Sequence, residues 1–127
     1  MNRYVKGARS ERELISMLKD NGYSVMRAAG SGVNSLSPDV IAFREGKGFA
    51  FECKAWNESG ISVAGEKIEN LKEWERNTGM ETFIAWRMQG REWFFIKLDE
   101  MKKTPASYRI SKKDTLKINR REDSFFN

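Results

Sequence analysis

Apolar positions along the chain fall into two patterns, one with helical spacing and one that alternates. Leu14, Ile15 and Leu18 form a helical stripe, with Glu11 on the same stripe one turn earlier. Ser10 and Glu13 have the capping-box spacing and Gly22 follows as a stop, so a helix is predicted over 10–21. Ile68, Leu71 and Trp74 mark a second helix between Gly65 and Asn77, with Gly79 beyond it. Strands are predicted from Tyr23 to Ala28, Val40 to Arg44 and Phe49 to Trp56, and in "TFIAWRM" and "EWFFIKL". "LDEMKK" reads as a helical turn and "SYRI" as an edge strand. The order helix, strand, hairpin, helix, two strands predicts one α/β domain over 1–127, with a central mixed sheet of about five strands flanked by helices.

One hairpin breaks its own pattern. In "SPDVIAFREGKGFAFECK" the turn signal "EGKG" joins two apolar runs, yet Asp39 opens the first run while Glu52 and Lys54 close the second. Strand alternation puts Glu52 and Lys54 on one face and Cys53 on the other, and folding about residues 45–47 brings Asp39 to the same end. Paired carboxylates repel and raise each other's pKa unless a cation neutralises them. Mg²⁺ suits such a site, because it takes oxygen ligands and needs only one or two protein carboxylates beside substrate phosphate oxygens. A surface ion pair worth about 0–1 kcal/mol is the alternative reading of the same charges. The convergence of Asp39, Glu52 and Lys54, with Glu11 pointing inward from the first helix, favours the metal.

Composition narrows the chemistry. The 127 residues contain no histidine and a single cysteine, which excludes histidine-based zinc sites, serine–histidine triads and an internal disulfide. The net charge of +5 suits an anionic partner. Basic residues crowd an N-terminal arm over 1–9, with Arg3, Lys6 and Arg9, and a basic, mobile tail over about 103–127. The arm and the loop from Gly30 to Ser37 are the segments expected against a nucleic-acid backbone. No apolar run is long enough to span a bilayer, so the chain reads as cytoplasmic, nucleoid-associated and without a membrane partner. Trp86, Trp93, Phe94 and Phe95 are expected in the core, Trp74 at an interface, and Cys53 as a small buried residue.

"PD", twelve residues and "ECK" match the PD-(D/E)xK nuclease motif. More widely, "GARSERELISMLKDNGYSVMRAAGS", "PDVIAF" and "FECK" resemble archaeal-type Holliday junction resolvases, and the likeness continues through "GEKIENLKEWERNTGMETFIAWR" and "WFFI", over residues 5–97. The approach "GVNSLSPD" is longer than in many relatives. The resemblance implies a restriction-endonuclease-like fold and a homodimer that cuts two opposed strands of four-way junction DNA symmetrically, using Mg²⁺ or Mn²⁺. It assigns Glu11, Asp39 and Glu52 to the metal and Lys54 to catalysis, and it sets Arg27 and Ser31, joined by Arg12, near the scissile phosphate.

Two other functions fit the same residues. One is a nuclease of this motif class acting on duplex or branched DNA, and the other is a basic DNA-binding protein whose carboxylates only neutralise lysines. A membrane-surface protein is disfavoured, since no helix joins a long apolar face to a basic one. The sequence names no clamp or helicase partner.

Overall fold

The computed structural model describes residues 3–28, 37–55, 59–88 and 92–126, with side chains from Arg9 onward. Helix α1 (Arg3–Asp20) leads into β1 (Ser24–Arg27), β2 (Val40–Arg44) and β3 (Lys47–Lys54). Next come β4 (Gly60–Ala64), α2 (Gly65–Thr78), β5 (Glu81–Arg87) and β6 (Trp93–Lys97). After a 3₁₀ turn at Leu98–Glu100 the chain adds β7 (Lys102–Lys103), β8 (Ser107–Ser111), α3 (Lys112–Ile118) and α4 (Glu122–Phe126). The expected five-stranded sheet has the order β1-β2-β3-β5-β6 and is mixed, because β3 and β5 run parallel while the other neighbours are antiparallel. A parallel pair needs a crossover. Here β4 and α2 supply it.

Each face of the large sheet carries its own core. On one side Leu14 and Leu18 of α1 pack on Val40, Ala42, Phe51, Phe83 and Phe95. On the other, Ile68 and Leu71 of α2 close over Ile84, Trp86 and Ile96, together with Ile61, Val63, Tyr108 and Ile110 from a second, three-stranded sheet of order β4-β8-β7. β4 carries little strand signal, since only Ile61 and Val63 alternate, and "SYRI" is the centre of this small sheet rather than an edge. Gly60 lets β4 approach β8 closely: a Cβ there would stand 2.7 Å from the Ile110 carbonyl oxygen.

Both chain ends differ from expectation. The basic arm is the first two turns of α1, so the helix begins seven residues before Ser10. Ser10 is therefore an interior, buried residue and not a cap, and Glu13 pairs with Arg87 of β5. The segment after Lys103 is no loose tail. Tyr108 and Ile110 enter the α2-side core, and Arg120 binds Glu100 through both terminal nitrogens at 2.7 and 3.0 Å. Its many lysines hid this, because they are the solvent side of elements whose inner side is apolar.

Phe125 of α4 completes the α1-side core. Its ring stacks on Phe95 at 4.5 Å and meets Phe83, Phe49 and Phe51 edge-on at 5.1, 5.5 and 5.8 Å. Phe125→Ala is expected to cost about 2–3 kcal/mol, less than a fully enclosed phenylalanine because this ring is half-buried. Urea denaturation checks it; an unchanged midpoint would mean that α4 is not docked in solution.

Candidate active site

The β2–β3 turn sets the geometry of the site. Glu45 and Gly46 both have positive φ, 51° and 81°, which makes a two-residue turn that pairs Arg44 with Lys47. Counting back along that register, Val40 stands opposite Phe51, so the next step sets Asp39 beside Glu52. A hydrogen bond agrees: the Cys53 backbone N–H donates to Asp39 Oδ2 at 3.0 Å. The sequence-predicted pair of carboxylates is thus formed, with Lys54 on the face of Glu52 and Cys53 on the α1 face, packed against that core.

Glu52 is 8% exposed. Burial, then the charge of Asp39 and a hydrogen bond shared with it, push its carboxyl up to about 7, against the opposing pull of Lys67 and Lys54. Glu52 Oε1 is buried with no hydrogen-bond partner among the described residues. That oxygen has the Lys67 ammonium at 3.7 Å but no hydrogen bond, so it keeps lone pairs a cation could use. Hard oxygen donors from two carboxylates suit a divalent ion of the Mg²⁺ type. The Cys53 thiol behaves oppositely: burial foremost, with the charges of Asp39, Glu11 and Glu52, raises it well above its ordinary value, so it offers no thiolate nucleophile.

Lys67 was missed in the sequence. It lies in the first turn of α2, donates to the Ser37 carbonyl at 2.8 Å and approaches Glu52 Oε1 at 3.7 Å. It ties the entry of β2 to the buried carboxylate. Only its position beside Ile68, on a helix that packs over this face of the sheet, hinted at that role.

Glu11 reaches the site from α1. Its carboxylate accepts from the exposed Arg27 guanidinium, and among the described residues no three acidic or cysteine side chains close on one point. The pair flanks the site from the α1 side, where the charge of Glu11 is felt at Cys53. Arg9 and Arg12 are exposed on α1. Ser31 and the rest of the loop 30–36 lie outside the described residues, as do the side chains of Arg3 and Lys6. Trp86, Trp93, Phe94 and Phe95 are core residues as expected, while Trp74 is half-buried on α2.

Against known families, the model of the archaeal Holliday junction resolvase (Hjc) matches residues 2–123. The chain belongs to that family. Among curated Hjc proteins, each named crossover junction endodeoxyribonuclease Hjc, that of Sulfolobus acidocaldarius is 33% identical over 120 residues, covering 92% of this chain and 83% of that protein. That of Methanocaldococcus jannaschii is 36% identical over 96 residues, covering 75% and 68%. The crystal structure of Archaeoglobus fulgidus Hjc superposes with a TM-score of 0.76 at 26% identity, covering 85% of each chain. A bacterial homing endonuclease, I-Ssp6803I, superposes at 0.62 with 13% identity over 96% and 88%, a likeness of fold alone. The fold is restriction-endonuclease-like.

Proposed function

We propose that this Hjc-family protein is a Holliday junction resolving endonuclease that hydrolyses phosphodiester bonds with Mg²⁺, and that Mn²⁺ can replace it. The observation that carries the assignment is the buried Glu52 oxygen without a hydrogen bond beside Asp39, in a chain of this family. Asp39 and Glu52 would hold the ion. Such an ion supplies Lewis-acid polarisation of the scissile phosphate and makes water nucleophilic near neutral pH. Lys54, on the face of Glu52, is placed to stabilise charge building on the phosphate and to guide the attacking water. Lys67 keeps Glu52 and the β2 entry in register. Glu11 holds Arg27 at the mouth, where the exposed guanidinium meets a phosphate oxygen, and Arg9 and Arg12 extend that contact along α1 with Arg3 and Lys6; Ser31 joins them from the loop.

The protein acts as a homodimer over all 127 residues, with two sites on opposed strands of four-way junction DNA in the cytoplasm. Met26 and Phe43, 64% and 41% exposed, lie on the α2 side of the β1–β2 pair with Ile41 and support a contact with a second copy. Among the described residues no helix is long and apolar enough to cross a membrane.

The test is a labelled immobile junction beside linear duplex of the same sequence, with and without Mg²⁺. Symmetric nicks in opposed strands of the junction alone, requiring Mg²⁺, are expected. Equal cutting of the duplex would make the protein a general nuclease of the same motif class.

A further inference from the structure

The junction reading leaves one charged region without a task. Between Lys102 and Arg121 the chain carries eight lysines and arginines against one acid, Asp114. Three of the eight have local employment. Arg120 binds Glu100, Arg121 binds Glu92, and the exposed Lys103 acts by its charge on Glu69. The other five, Lys102, Arg109, Lys112, Lys113 and Lys117, are exposed on one run of elements, β7, β8 and α3, with their neighbours Tyr108, Ile110 and Thr115 buried.

Their arrangement works against the fold. Lys102 and Arg109 are direct cross-strand partners, so two like charges share one face of an antiparallel pair, an unfavourable placement. Lys112 and Lys113 open α3, at the end of a helix whose dipole favours acids. The single acid gives little relief: Asp114 meets Lys102 at 3.7 Å, with the lysine side chain 82% exposed. Ser111 caps α3 and Lys117 suits its last turn, so the cost is confined to the Lys102–Arg109 pair and to Lys112 and Lys113, placements that a polyanionic ligand would relieve.

Resting on the nuclease assignment above, we infer that the outer face of β7, β8 and α3 grips the phosphate backbone of a duplex arm of the substrate. Repeated phosphates match a spread of exposed cations, and Ser62, exposed opposite Arg109, adds a hydroxyl of the kind that contacts backbone oxygens. The position also fits. β4, paired along β8, runs straight into α2, whose first turn bears Lys67 beside Glu52. Ser62 thus lies roughly 15–20 Å along the chain from the catalytic carboxylates, about half a turn of duplex. A lipid surface fits less well, since Leu116 is the one large apolar side chain exposed among these cations.

The test compares the unsubstituted protein with the triple variant Lys102→Gln, Arg109→Gln, Lys113→Gln, and with Arg109→Thr alone, which removes one of the two opposed charges. Binding to long-armed junctions in EDTA is expected to weaken at least tenfold in the triple variant. The slope of log affinity against log salt should fall by about 2–3, close to 0.9 per lost phosphate contact. Junctions whose arms are too short to reach the face should bind both proteins alike. The single-turnover cleavage rate at saturation should be unchanged, and the melting temperature of Arg109→Thr equal to or above that of the unsubstituted protein. Unaltered affinity and salt slope would overturn the inference, as would equal binding of anionic phosphatidylserine vesicles that is lost in the variant. Failure of the unsubstituted protein to cut any junction overturns the nuclease assignment instead, so the two are read separately.

Discussion

Glu52→Gln is expected to abolish junction cleavage, by about a thousandfold or more, while leaving junction binding intact. The substitution keeps the shape of a buried side chain and its place opposite Asp39, but removes the charge that would hold a divalent ion against the phosphate. Without metal the native site sets two carboxylates against an anionic backbone. Neutralising one of them should therefore tighten binding in EDTA. Single-turnover cleavage and gel-shift titration of the same junction check both statements, and equal losses of binding and cutting would make Glu52 a structural residue.

The second large effect is on stability against pH. Glu52 ionises at about 7 in the folded chain and near 4.5 when unfolded. The folded state therefore binds the proton more tightly. Its contribution is fully present below pH 4.5 and is lost as pH rises through 7, amounting to about 3 kcal/mol for the metal-free protein. Mg²⁺ held there as proposed should reverse the trend, because it would bind the ionised form. The rise in melting temperature caused by Mg²⁺ should be larger at pH 8 than at pH 6, where the ion must displace a proton. In Glu52→Gln both the metal-free slope between pH 5 and 8 and the Mg²⁺ response should shrink. A metal-free slope that survives the substitution would place the titration on another group.

The carboxylate end of the β2–β3 hairpin was legible in the sequence because its elements are local. A two-residue turn and strand alternation together fix which residues of a hairpin face each other, so the meeting of Asp39 with Glu52 follows from counting. The central sheet and both main helices were legible for the same reason of periodicity. Lys67 was not, since its contact with Glu52 depends on how α2 docks after a crossover, a matter of tertiary packing that no local pattern encodes. The pairing of Glu11 with Arg27 is of the same kind. At the C-terminal end a surface dense in lysine masked short apolar alternations such as Tyr108 and Ile110, and the two rings that close α4 gave no period at all. Ser10 misled for another reason: the letters of a capping box appear in the middle of a helix that had already begun.

The turn at Glu45–Gly46 also constrains how this gene can drift. It lies at the far end of the hairpin from the carboxylates, roughly 16 Å away along β3. Even so, a deletion of one residue there that was absorbed by sliding the strand would bring Cys53 into the position of Glu52, and an insertion would bring Phe51 there. Changes of length at the tip then keep Asp39 beside Glu52 only as loops that leave the ladder untouched, so the meeting of the two carboxylates depends on a turn at the opposite end of the hairpin.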